Sequence, residues 1–162
     1  MTNAGTWAGR VREQTDDPLL ARDWYSFIAQ LRQVRQDALE VRGGLTAHAV
    51  VIPASLDPSF AEDLMQARDR LAQAGKLGMF AGSAKRAVQA CEVDGHQPGS
   101  AADIDLCLQA VTLENLRQRM RTSWHNQMAR VGGADLDPVA PEDGLGRFLD
   151  DLGRALGWPS TW

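Results

Sequence analysis

Tyrosine, lysine and cysteine are scarce in this chain, which has one Tyr, two Lys and two Cys among 162 residues. Cys91 and Cys107 form no C-x-x-C pair and no secretory signal precedes them, so they read as small reduced core residues rather than a disulfide framework. No apolar run approaches the roughly 18 residues of a membrane span. The opening MTNAGTWAGRVREQTDD also lacks the apolar centre of a signal peptide. Both absences point to a soluble, cytoplasmic protein with no membrane partner. An excess of base is missing too, because 17 Lys and Arg face 21 Asp and Glu for a formal charge of −4. That balance excludes a dedicated, strongly basic nucleic-acid module while leaving room for a local basic face.

What is present is a composition that folds. Apolar residues make up 44% of the chain and charged residues 23%. A chain of this length removes roughly 70% of its unfolded surface from water, so it needs no disulfide or metal staple. The expected organisation is a partly flexible lead-in over 1–16 and a single helical domain over 17–162. Asp17-Pro18 is an N-cap followed by proline at the first helical position, and Gly43-Gly44 is the matching stop. Between them Leu20, Trp24, Phe27, Leu31, Val34, Ala38 and Val41 recur at alternating steps of 4 and 3. The spacing predicts a helix over 17–42, about 39 Å long, suited to an antiparallel hairpin or short coiled coil.

The same arithmetic predicts a helix opening at Asp57-Pro58 with Phe60, Leu64, Ala67, Leu71 and Ala74 inward. A short helix over Ala84–Glu92 buries Ala87, Val88 and Cys91, and Asp94-Gly95 is a turn. The capping box from Ser100 to Asp103 opens a long helix over 101–131 whose apolar residues cover more than one face. A last helix, Pro141 to Leu156, carries Leu145, Leu149, Leu152 and Leu156 on one stripe. The fold class is therefore all-α, an antiparallel bundle or hairpin of about five helices. The stretch LTAHAVVI is rich in β-branched residues, but a lone strand has nothing to pair with, so it is expected to be a loop packed on helices.

Chemistry is harder to find. Gly78 to Lys85 is the nearest thing to a phosphate loop, yet its lysine and hydroxyl do not directly follow the last glycine in the required order, and no strand precedes it. His48, His96, His125 and the two cysteines make no metal-ligand pair of recognised spacing. No G-x-S-x-G elbow or H-E-x-x-H pair is present. The reading assigns no catalytic residue, no cofactor and no metal. Carboxylate pairs such as Asp16-Asp17, Glu62-Asp63 and Asp150-Asp151 fall at helix starts or on polar faces. Arg117 and Arg121, four apart, share a helix face and are the candidate nucleic-acid contact, with Arg119 turned roughly the other way. Trp24 and Trp124 read as core anchors. Trp158 and Trp162 flank a proline in GWPSTW, where two large indoles want support. They are the candidate contacts to a protein partner or to the remainder of a parent chain.

From Trp24 onward, LRQVRQDALE, AHAVVIPASLDP, LMQARDRLAQAGKLGMF, AKRAVQACEVDGHQPGSAADI, LRQRMRTSWHNQM and RALGW follow in order. This series resembles the helical section that interrupts or adjoins the motor in large bacterial superfamily-one helicase-like ATPases. The resemblance implies a non-catalytic helical stalk or interaction domain, a fragment of a nucleic-acid-dependent ATPase. It brings no catalytic residue with it, because the chain has no Walker A lysine loop, acidic magnesium motif or arginine finger. The alternative is a free-standing helical adaptor or regulator that binds another protein through an apolar groove.

Overall fold

The computed structural model describes residues 4–74, 82–133, 136 and 141–157. Helix accounts for 75% of it, in six helices beside one two-stranded sheet, so the all-α expectation holds. In chain order these are α1 (Ala4–Thr15), α2 (Pro18–Leu45), β1 (Val50–Val51), α3 (Phe60–Ala74), α4 (Ser83–Gln89), β2 (Glu92–Val93), α5 (Ala101–Ala129) and α6 (Pro141–Leu156). The chain divides into two compact units. The first contains Met1–Leu39 and Leu116–Trp162, the second Glu40–Asn115.

Helix starts follow the capping signals. Asp17 Oδ1 accepts the Leu19 N–H at 2.9 Å, and Asp57 Oδ1 accepts the Ser59 N–H at 3.0 Å. The capping box closes as well, with the Asp103 N–H donating to Ser100 Oγ at 3.2 Å and the Gly99 N–H to Asp103 Oδ2 at 3.1 Å. The six-helix count exceeds the expected five because Ala4–Thr15, in the lead-in, is helical. It is tied down at two points: Trp24 Nε1 donates to Gln14 Oε1 at 2.7 Å, and Arg10 Nη1 donates to the Val131 carbonyl at 2.8 Å beyond the end of α5. Gly132 makes that second contact feasible. Its φ of +63° ends the helix in the left-handed region, and a Cβ there would collide with Arg10 Nη1.

In the first unit α2 runs antiparallel to α6, since Arg32 meets Asp150 while Arg35 meets Glu142. Helices α5 and α6 run parallel there, with Arg117 on Glu142 and Trp124 edge-on to Phe148 at 4.8 Å. The core holds Trp24, Ile28, Leu31, Met120, Trp124, Leu145 and Leu149, all no more than 2% exposed. Trp24 and Trp124 are thus the anchors expected. The stripe needs one correction, because Leu20 stands 38% exposed while Ile28, off the expected line, is fully buried. A 3-4 pattern fixes a face only to within about a residue either way, and Trp24 with Leu31 serves both lines.

The second unit corrects the loop expectation for LTAHAVVI. Val50 pairs with Val93 and Val51 with Glu92, antiparallel. The partner strand comes from within the chain, from the segment expected to end a helix; α4 stops at Gln89 instead. The Val93 N–H donates to the His96 carbonyl at 2.8 Å across Asp94-Gly95. Both central residues have positive φ, +52° and +84°, the two-residue hairpin turn that Asp-Gly favours. Around this ribbon Phe60, Leu64, Ala67, Val88, Ile104 and Val111 close a separate core.

Candidate functional site

The polar chemistry of the first unit gathers on one face of α6. Glu142 is fully buried, an unusual place for a carboxylate, and it sits in the first turn of α6, where the helix dipole favours negative charge. Arg117, from α5, meets it with two nitrogens, Nη2 at 2.7 Å and Nε at 3.1 Å. From α2 the Arg35 Nε donates to the Glu142 main-chain carbonyl at 2.6 Å. One turn along α6, a Cβ at Gly146 would collide with Arg35 Nη2, so glycine there makes room for the guanidinium. One turn further, Arg32 approaches Asp150 at 3.6 Å. The bidentate pair satisfies a buried charge that would otherwise cost several kcal/mol and ties α5 to α6, and Arg35 ties α2 to the same turn.

Arg117 and Arg121 stand one turn apart in α5, the shared face expected of them. Arg117, expected to face nucleic acid, turns its guanidinium to Glu142. Arg119 lines a small cavity of about 80 Å³ with Phe27, Leu31 and Met120. Arg121 is half-buried. Trp158 and Trp162 lie outside the described residues. Glu142 itself was missed, because PEDG at 141–144 reads as an ordinary acidic first turn and nothing local marks its burial.

In the second unit three features hold polar groups in defined geometry. The first is a clasp at the ribbon's end. Asp94, in its left-handed conformation, accepts from the Ala49 N–H at 3.0 Å through Oδ1 and meets His48 Nδ1 at 2.9 Å through Oδ2. The His48 contact, then the Ala49 N–H, hold the Asp94 carboxyl below its ordinary pKa. The second is an open cleft of about 490 Å³, where Ser59, Asp57, Asp63, Ser83, Arg86 and Phe60 contribute to the lining. Its carboxylates are already bonded, since Ser59 Oγ donates to Asp57 Oδ1 at 2.9 Å and Ser83 Oγ to Asp63 Oδ1 at 3.1 Å. Asp57 is held below its usual pKa, first by the Ser59 N–H and then by the Ser59 hydroxyl.

The third is a pair of thiols. Cys91 and Cys107 are free and fully buried in one core, and Cys91 Sγ donates to the Ala87 carbonyl at 3.4 Å. The neighbouring Cys91 and then burial push the Cys107 thiol well above its ordinary range. The reading of both as small core residues agrees with this placement.

Half of the segment compared with a phosphate loop, residues 78–81, lies outside the described residues. At its described end Ser83 and Lys85 belong to α4, and the nearest element before it among the described residues is the helix α3. Among the described residues no three His, Cys, Asp or Glu side chains converge as metal ligands, and no helix is long and apolar enough to cross a membrane. Compared with known proteins, the chain matches no family model, no curated protein and no solved structure.

Proposed function

We propose that this chain is a non-catalytic helical interaction module whose partner is a protein, contacted through the first turn of α2. One observation carries the reading. Just after the Asp17 cap, that turn presents Leu19 at 72% and Leu20 at 38% exposure. Leu19 forgoes most of the about 1.5–3 kcal/mol that full burial of a leucine contributes, and Leu20, already more than half-buried, a smaller part; an apolar partner surface would recover both. Arg117, Arg35 and Glu142 are committed to one another, which favours a protein partner over nucleic acid at Arg117 and Arg121.

The stalk of a helicase-like ATPase is the second reading, supported by the order of sequence segments from Trp24 onward. It differs from the first in requiring a parent motor and in placing nucleic acid close by. The native size of the tagged chain in extract from its source cells tests both. The adaptor reading expects migration well above the 17.7 kDa of the chain alone. It also expects a return to that size with Leu19→Asp/Leu20→Asp, and no change on nuclease treatment. A complex that nuclease dissolves and the double variant leaves intact would replace the adaptor reading with the nucleic-acid one.

A further inference from the structure

We propose that Asp94-Gly95 is a latent modification site, where the turn closes to a succinimide and reopens as isoaspartate once His48 and the Ala49 N–H release the Asp94 carboxylate. Aspartate followed by glycine is the pair most prone to this reaction, because glycine has no side chain to shield its amide nitrogen. Both residues are exposed at the tip of the ribbon. A Cβ placed on Gly95 would meet nothing within 4 Å, so open space lies beside the reacting amide.

The reaction runs within the chain and needs no reagent but water. With the carboxyl protonated, the Gly95 nitrogen attacks Asp94 Cγ, an N–C bond forms, and the carboxyl hydroxyl leaves with the N–H proton as water. Water then adds to one of the two ring carbonyls. Attack at Cγ restores aspartate, whereas attack at the main-chain carbonyl breaks its bond to the Gly95 nitrogen and leaves the chain running through Cγ. One water departs and one returns, so the product is an isomer of unchanged mass.

Closure has to break the clasp. Oδ1 accepts the Ala49 N–H at 3.0 Å and Oδ2 meets His48 Nδ1 at 2.9 Å, so whichever oxygen departs is one already bonded. An ionised carboxylate only accepts, which makes His48 the donor and leaves no proton on the oxygen that must go. The same contacts, His48 first, hold the carboxyl below its ordinary pKa and so deplete the reacting form. Both partners lie far along the chain, 46 and 45 residues away. The fold therefore keeps the site shut, and it opens when residues 48–49 lift off the turn. Isoaspartate then adds a main-chain atom to a turn held by the Val93 N–H on the His96 carbonyl at 2.8 Å and the His96 N–H on the Val93 carbonyl at 3.2 Å.

In the test, the full chain is held at neutral pH and body temperature, native or unfolded in guanidinium chloride. Electron-transfer fragmentation of the peptide containing residue 94 then separates isoaspartate from aspartate. The unfolded chain is expected to accumulate isoaspartate at Asp94 while the native chain stays largely unmodified. His48→Ala and His48→Phe, each keeping the native helical circular dichroism, should accumulate it about two- to fivefold faster than native wild type, the range that an exposed ion pair supports. The proposal is overturned if native wild type isomerises as fast as the unfolded chain, or if the unfolded chain does not isomerise at Asp94. It is equally overturned if both His48 variants stay as slow as native wild type.

Discussion

Removing the Arg117 guanidinium would strand the Glu142 carboxylate in a core that gives it no water. Breaking a buried pair from one side costs about 3–5 kcal/mol. Arg117→Ala is expected to lose that much in urea denaturation, while Arg119→Ala, two residues away and exposed, stays within about 0.5 kcal/mol. Equal losses would mean that the pair does not hold the unit together. Asp94 gives a prediction with a pH signature. Its folded pKa is depressed, so its contribution is present above the unfolded value near 3.9 and is lost as pH falls through the folded one. Asp94→Asn, which keeps a side chain tolerant of positive φ, should therefore melt below wild type at pH 7. The gap should close as both are acidified below about pH 4. A gap independent of pH would remove the charge from the explanation. Neither residue's role was legible in the sequence. Arg117 and Glu142 are 25 positions apart, His48 and Asp94 46 apart, and a pairing across that distance is chosen by the packing of whole helices and strands.

Helices were legible where a capping group or a stripe speaks for itself. Asp17-Pro18, Asp57-Pro58 and Ser100 each begin a helix within three residues of the expected start, and Phe60, Leu64, Ala67 and Leu71 are all buried as their spacing required. The ribbon was not, because two strands of two residues carry too little period to separate them from loop. Asp94-Gly95 was the available signal, and its partner at Val50 lies beyond any local window. Gly43-Gly44 was a stop signal that α2 overruns to Leu45. The helical glycines make a paired prediction. Gly9 in α1 has open space where a methyl group would go, with nothing within 4 Å, so Gly9→Ala should stabilise the fold by about 0.5–1 kcal/mol through helix propensity alone. Gly146→Ala gains a similar amount but pushes Arg35 off the Glu142 carbonyl, a charged hydrogen bond of about 1.5–3 kcal/mol. The net expectation is a loss of about 1 kcal/mol, read by thermal melts of the two variants beside wild type. Stabilisation by both would show that the Arg35 contact contributes nothing.

Charge at the scale of the molecule is uneven in a way the total conceals. The first unit holds eleven basic and eleven acidic residues, whereas the second holds six and ten, so the −4 belongs to the second. A nucleic-acid contact would fall to the first unit, weak and steeply salt-dependent, with Arg117 already committed to Glu142. The proposed role is instead that of a protein binder, with Arg117 and Arg35 committed to Glu142 and the leucines at the start of α2 exposed. Site-specific photo-crosslinking in the source cells measures this most directly, with a benzophenone amino acid replacing Leu19 in one version and the exposed Gln118 of α5 in another. The account predicts a discrete protein adduct from position 19, none from position 118, and loss of the first on adding Leu20→Asp to a protein that still melts as wild type. The same adducts from both positions, or nucleic acid as the principal adduct, would contradict it.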